Sequence, residues 1–229
     1  MAPAPSYYEA TRAVSLVTAP LDHDITVDVA IVGGGITGCS AALDLGERGL
    51  SVALLEARDI GWGASGRNGG QVLPGYAIAQ HRLKRLVGAE DARLLWDMSL
   101  EATRLVEERI RAHAIPADYT KGFVYAGIKP RHVAELEDEA AELTKLGVPG
   151  ARVIRGAEIH AHIASDRYRA LLTEPSSAHL HPLNYTLGLG LAAQRAGAQI
   201  FSATPVTAIE EGAVVRLRTP RGIVSARSV

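Results

Sequence analysis

An apolar run, Val27 to Val32, ends in Gly33-x-Gly35-x-x-Gly38, and a second apolar run, Ser51 to Leu55, ends in an acid, Glu56. This arrangement predicts a βαβ unit that binds a dinucleotide. Each glycine has its own task. Gly33 lets the chain turn sharply out of the strand, Gly35 leaves room for a pyrophosphate, and Gly38 lets the following helix pack close to the sheet. The helix N-terminus offers free N–H groups and the positive end of its dipole to the phosphates. Glu56 lies 23 residues after Gly33, where a carboxylate accepts hydrogen bonds from ribose hydroxyls.

The acid and the loop after it bear on which dinucleotide is bound. A carboxylate repels a 2′-phosphate, so Glu56 disfavours NADP and leaves NAD and FAD. The segment GWGASGRNGG, Gly61 to Gly70, holds five glycines, one serine, one arginine and one asparagine. Such a loop builds no core. It suits an extended anion, with backbone N–H groups, the Ser65 hydroxyl and the Arg67 guanidinium as donors. FAD is long and carries a flavin that also needs a cradle, which tilts the reading toward FAD. Ser65 is no hydrolase nucleophile, because a G-x-S-x-G elbow needs a strand directly before it.

Composition excludes several function classes. The chain has 229 residues, 47% hydrophobic and 21% charged, with a formal net charge of -1. The basic residues are scattered, so no nucleic acid or anionic membrane partner is expected. No apolar run approaches the ~20 residues that span a bilayer. The N-terminal residues lack a signal-peptide pattern. One cysteine, Cys39, excludes an internal disulfide and fits a reducing cytoplasm. It lies just inside the phosphate-binding helix, where small residues are needed for packing rather than for thiol chemistry. Two His-x-His pairs, His160/His162 and His179/His181, would share a face in a strand, but no third ligand accompanies them and no metal is expected. Tyr7, Tyr8 and Tyr76 are candidates for an opening near the cofactor.

Periodicity orders the remaining elements. Residues 1–25 form a leader draped over the surface. Helices are expected over Glu90–Ala114, with Leu94, Met98, Leu105 and Ile110 among the apolar positions, and over Arg131–Leu146, closed by Gly147. A third helix, Pro182–Ala196, opens on a proline. Strands are expected over Gly122–Ile128, Ala151–Arg155, Tyr168–Thr173, Gln199–Ser202, Val206–Ile209, Val214–Thr219 and Gly222–Val229. The last two flank Pro220-Arg221-Gly222 as a hairpin, assigned to a separate antiparallel layer. This order predicts an α/β fold: a Rossmann-like dinucleotide domain of residues 1–80 and 175–229, with an α+β substrate domain, 81–174, inserted in it.

Several segments resemble one family: SYYEAT at 6–11, GGGITG at 33–38, LLEAR at 54–58, GWGASGRNGGQ at 61–71 and HLHPLNYTLGLGLAAQRAGAQI at 179–200. They are similar to the D-amino-acid-oxidase-like FAD-dependent oxidoreductases, and within them to the γ-glutamylputrescine oxidase-like amine oxidases. GxGxxG is general; GWGASGRNGG and HLHPL are specific to that branch. The resemblance implies FAD contacts by Gly33, Gly35, Ile36, Thr37 and Gly38, by Glu56, Ala57 and Arg58, by Ala64, Ser65, Arg67, Asn68, Gly69, Gly70 and Gln71, and by Val206. It implies a role for His179 and His181 at the start of the helix that follows them. It names no catalytic residue.

By the same resemblance, a small amine or amino acid is oxidised at a C–N bond to an imine. Hydrolysis then gives an aldehyde or keto product, and oxygen is reduced to hydrogen peroxide. Family members are longer, so the chain is expected to be an N-terminal portion in which the substrate-domain sheet is incomplete. Two other readings stay open: a dehydrogenase of the same fold using a quinone or protein acceptor, and an FAD-binding half-protein completed by a partner chain.

Overall fold

A computed structural model of the chain describes residues 6–229; residues 1–5 of the expected leader lie outside the described residues. In chain order the elements are α1 (Tyr7–Ala10), β1 (Ile25–Val32), α2 (Ile36–Glu47), β2 (Val52–Leu55), β3 (Gln71–Val72), α3 (Gln80–Val87), α4 (Ala89–Ala112), β4 (Thr120–Gly127), α5 (Pro130–Lys145), β5 (Arg152–Arg155), β6 (Ala170–His179), α6 (Pro182–Arg195), β7 (Gln199–Phe201), β8 (Ala208–Glu210), β9 (Val215–Arg218) and β10 (Ile223–Ser228). The chain divides into two compact units. The first takes in residues up to Gly70, Arg109–Ala117 and His181–Val229; the second takes in Gln71–Glu108 and Asp118–Leu180.

The first unit is built on a six-stranded sheet of order β7-β2-β1-β10-β9-β8. β7, β2, β1 and β10 run parallel, with Val29 opposite Val52 and Ile25 opposite Val224. Every residue of β2 is buried, as expected of a parallel strand covered on both faces. The expected β1–α2–β2 unit is present. α2 packs on α6 at close range: a Cβ on Gly46 would lie 3.1 Å from the Ala196 carbonyl oxygen.

Two expectations need correction here. The β9–β10 hairpin is not a separate layer. β10 pairs with the free edge of β1 and extends the same sheet, and Leu217 and Val224 share a core cluster with Val27 and Ala30. Pairing satisfies an edge that would otherwise expose its backbone donors and acceptors. The leader, from Ser6 onward, does not merely drape. Leu21 is buried in that same cluster, its N–H donates to the Thr204 hydroxyl, and the Thr18 hydroxyl donates to Ser202 Oγ.

The second unit has a four-stranded antiparallel sheet in which β3, β4 and β5 all pair with β6. Its core gathers Trp96, Leu143, Val148 and Leu172. Gly147, at φ +83, ends α5 as expected. α4 corrects the reading of its apolar face. Ala92, Trp96 and Ser99 are buried, whereas Leu94, Met98 and Leu105 are exposed. β6 runs on through Pro175 to His179, six residues beyond the expected strand end at Thr173. Among the described residues no helix is long and apolar enough to cross a membrane.

Candidate cofactor site

The first unit places the two glycine-rich segments against each other. β1 runs out into Gly33, whose φ of +106 is a left-handed conformation that favours glycine. The Gly33 N–H donates to the Leu55 carbonyl at 2.8 Å, which ties the turn to the end of β2. A Cβ on Gly38 would lie 1.9 Å from the Gly33 carbonyl oxygen. Gly38 therefore serves the closeness of helix and turn, backbone against backbone.

α2 begins at Ile36 with Gly35 as its N-cap, and no side chain of the cap takes a first-turn donor. The Ser65 hydroxyl does so instead, accepting the Ile36 N–H at 3.0 Å. Among the described residues the N–H groups of Gly35 and Thr37 have no acceptor. Free donors at a helix N-terminus are the donor set that an anionic group requires.

Glu56 sits at the end of β2, half-buried. Its Oε2 accepts the Gly34 N–H at 2.7 Å and its Oε1 accepts the Arg58 N–H at 2.8 Å. The same carboxylate thus braces the glycine turn and keeps further lone pairs for hydroxyl donors. Ala57 and Arg58 follow it on the surface, and the Arg58 guanidinium lies 3.9 Å from the centroid of the Trp62 ring.

The Gly61–Gly70 segment is ordered by its own bonds. Ala64–Gly66 is one 3-10 turn. The Arg67 Nε donates to the Trp62 carbonyl at 2.8 Å. Asn68 ties the turn from both ends: its Nδ2 donates to the Ala64 carbonyl at 3.1 Å, and its Oδ1 accepts the Gly70 N–H at 2.8 Å. Gly61 and Gly66 seat this loop on α6, since a Cβ on either would come within about 3.0 Å of the Leu183 side chain. A cleft of about 340 Å³ opens beside the loop, lined by Trp62, Arg67, Leu183 and, from the leader, Ser6, Glu9 and Arg12.

The structure brings Gly33, Gly35, Ile36, Thr37, Gly38, Glu56, Ala57, Arg58, Ala64, Ser65, Arg67, Asn68, Gly69 and Gly70 into the first unit. Val206 belongs there too, packed partly buried against the sheet core just before β8. Gln71 opens β3 of the second unit, where it pairs with His179.

The histidines and the cysteine have structural settings. His181 is the N-cap of α6. Its Nδ1 accepts the Asn184 N–H at 3.1 Å, so its Nε2 carries the proton and donates to Thr11 Oγ1 at 3.1 Å. Tyr8 packs edge-on against the same ring. His160 lies in an exposed 3-10 turn beside Asp166. Cys39 is fully buried, and burial, with the nearby charge of Glu56, pushes its thiol up to about 12. It is no thiolate nucleophile at neutral pH.

Sequence reasoning placed the leader in this domain but missed the bonds that tie it to α6. Ala13 and Val14 donate their N–H groups to Asn184 Oδ1 at 2.8 Å and 3.3 Å. The signal was Asn184, buried in the first turn of α6, whose partner lies far off in sequence.

Comparison with known proteins places this geometry in a family. Residues 28–229 match the family model described as "DAO: FAD dependent oxidoreductase". The chain is 35% identical over 224 residues to gamma-glutamylputrescine oxidoreductase from Escherichia coli, covering 98% of this chain and 53% of that protein. It is also 35% identical to the probable oxidoreductase OrdL of Haemophilus influenzae, covering 98% of this chain and 52% of that one. The chain thus spans about half the length of these curated relatives. Among solved structures, L-amino acid deaminase from Proteus myxofaciens superposes with a TM-score of 0.77 at 20% identity, over 94% of this chain and 47% of that one. Glycine oxidase from Geobacillus kaustophilus superposes with a TM-score of 0.72 at 22% identity, over 88% and 54%. At these identities the two structures speak for a shared fold.

Proposed function

We propose, for a chain that belongs to the DAO family of FAD-dependent oxidoreductases, that its first unit holds FAD and serves the oxidation of a small amine or amino acid. The C–N bond is oxidised to an imine, which water hydrolyses to an aldehyde or keto product, and oxygen is reduced to hydrogen peroxide. One observation carries the cofactor assignment. The first turn of α2, the Glu56 carboxylate and the Ser65 loop meet around a single stretch of glycine backbone, with first-turn donors left free.

In this reading the turn formed by Gly33, Gly35, Ile36, Thr37 and Gly38 lies against the pyrophosphate, and the free N–H groups of Gly35 and Thr37 are its donors. Glu56 accepts from the ribose hydroxyls, flanked by Ala57 and Arg58, and Val206 contributes an apolar contact. Ala64, Ser65, Arg67, Asn68, Gly69, Gly70 and Gln71 serve the flavin side. Bound FAD supplies the two-electron acceptor that no side chain provides. The protein supplies position, and the second unit is assigned to substrate. No residue is assigned as catalytic.

The test is spectroscopic first. Purified protein should show flavin absorbance, released into the supernatant by acid precipitation. An oxygen electrode, with γ-glutamylputrescine, putrescine, sarcosine, glycine and D-amino acids, then reads turnover and peroxide. Reduction of a dye without oxygen uptake would favour the quinone- or protein-linked dehydrogenase. Bound flavin without any turnover would favour a half-protein completed by a partner chain. Absence of flavin after reconstitution with FAD removes the proposal.

A further inference from the structure

The exit of β7 grips the main chain of Glu56 from both sides. The Glu56 N–H donates to the Phe201 carbonyl at 2.9 Å, and the Glu56 carbonyl accepts the Thr204 N–H at 2.8 Å. Ala203 donates its N–H to the Arg58 carbonyl at 3.0 Å. Arg58 is the residue whose own N–H meets the Glu56 carboxylate. Residues 201–204 therefore fix both ends of the segment 56–58, which aims that carboxylate at the Gly34 N–H.

This turn holds a strained residue. Ala203 has a φ of +47, a left-handed conformation that is costly for an alanine. Such a residue persists where surrounding bonds over-determine it, and strain of this kind clusters at functional sites. The bonds that hold the turn converge on Thr204, which is 2% exposed. Its hydroxyl donates to the Ser202 carbonyl at 2.8 Å and accepts the Leu21 N–H at 3.0 Å. The Thr18 hydroxyl holds the Ser202 side chain at 2.7 Å. A continuous chain of bonds thus runs from the leader through Thr204 to the acid. Valine would keep the shape of Thr204 but remove both bonds of its hydroxyl.

We propose that Thr204 is a positioning residue for Glu56, and that seating of the leader on its hydroxyl sets how firmly the acid is held for the ribose. The link to the ribose rests on the FAD reading. The link to the acid does not, so it is measured first without flavin. Hydrogen exchange of the flavin-free full chain follows the Gly34 and Arg58 amides, both of which donate to the Glu56 carboxylate. Thr204→Val should quicken both by about tenfold, and Thr204→Ser should return them to within about twofold of wild type. Thr18→Val, at a half-buried position of the leader, should quicken them by about threefold. Leu189→Val, buried in α6, gives the response to lost stability alone and should leave both amides within about twofold of wild type.

FAD titration then closes a double-mutant cycle. Thr204→Val should weaken FAD by about tenfold in the wild-type chain and by less than about twofold in Glu56→Gln, because the hydroxyl acts through the acid. Unchanged exchange of the two amides in Thr204→Val overturns the proposal, as does equal quickening in Leu189→Val. If Thr204→Val does not fold, unchanged exchange in Thr18→Val overturns it. Equal losses of FAD affinity with and without the Glu56 carboxylate would show that Thr204 acts apart from the acid, and overturn it too. A wild-type chain that takes up no FAD removes the proposed function, while the exchange result still decides the role of Thr204.

Discussion

The Ser65 hydroxyl accepts the Ile36 N–H at 3.0 Å, across 29 residues of sequence. This bond closes the second glycine-rich loop over the first turn of α2. Gly35 leaves the room for it, because a Cβ there would lie 2.8 Å from Ser65 Oγ. The two glycine segments thus act as one device, and substitutions in either should be felt in the other.

Gly35→Val and Gly38→Ala should separate binding from stability. At Gly35 the nearest obstacle is the Ser65 side chain, which can move aside at the expense of the helix cap. FAD should be lost while the melting temperature falls little. At Gly38 the obstacle is the Gly33 backbone at 1.9 Å. Overpacking of this kind costs about 1–3 kcal/mol, or roughly 2–4 °C per kcal/mol in a chain of this size. Cofactor content and thermal melts of both variants read the contrast. A Gly35→Val protein with full flavin content would place the pyrophosphate elsewhere.

Glu56 joins cofactor and fold in one side chain. Glutamine keeps one acceptor oxygen but sets an NH2 group against the N–H of Gly34 or Arg58. Losing a hydrogen bond to a charged group costs roughly 1.5–3 kcal/mol. Glu56→Gln should therefore lower both the melting point of the flavin-free protein and its affinity for FAD, and Glu56→Arg should abolish binding. If FAD titration gives one affinity for wild type and both variants, the ribose does not meet Glu56.

The βαβ unit was legible because every signal for it is local. Strand, glycine spacing, helix and acid follow one another within 30 residues, and each has a short-range physical cause. The Ser65–Ile36 bond was not legible as a cap, since the serine reads equally as an anion donor. The outward face of α4 was misread for a similar reason. Leu94, Met98 and Leu105 keep helical spacing, yet the small Ala92 and Ser99 beside Trp96 take the buried side. β6 was cut short because Pro175-Ser176-Ser177 has turn composition; the Glu174 carboxylate takes the N–H groups of both serines, and the strand runs on to His179.

Arg67→Ala should lower flavin occupancy more than Arg58→Ala. Arg58 stacks on Trp62 at the surface, a contact worth about 0.5–1 kcal/mol. Arg67 fixes the loop through the Trp62 carbonyl and keeps other guanidinium donors for an anion. Arg67→Lys should not restore occupancy, because an ammonium lacks the planar fork. Flavin-to-protein absorbance ratios of the three variants decide the order, and a reversed order sinks this reading of the loop.

His181 should matter as a cap and as an anchor. Its Nδ1 closes α6 and its Nε2–H holds Thr11 of the leader. His181→Ala should cost about 0.5–2 kcal/mol, the usual loss of an N-cap acceptor. His181→Asn restores a capping oxygen and should recover part of the loss. Limited proteolysis should cut the leader faster in both variants. An alanine variant as stable as wild type would mean that the apolar burial of α6 alone sets its start.

Cys39 predicts alkaline sensitivity. Its thiol is pushed up to about 12 in the fold against an ordinary 9.0, chiefly by burial. The native state therefore holds its proton where the unfolded chain has lost it. Its contribution is fully present below pH 9 and is lost as pH climbs from 9 toward 12, with a slope of up to about 1.4 kcal/mol per unit. Tyr185, pushed by burial from 10.0 to about 12 with Arg109 acting against the shift, adds its own loss only above pH 10. Between pH 9 and 10 the slope should thus belong mainly to Cys39 among the two, and Cys39→Ala should flatten it there and also reduce it above pH 10, where only Tyr185 of the two would remain. Urea midpoints across this range measure both arms. The native thiol should also resist a thiol-specific reagent until the protein unfolds. Rapid labelling of folded protein, or an alanine variant with the wild-type slope, would show that Cys39 is not held buried and protonated beside the glycine turn.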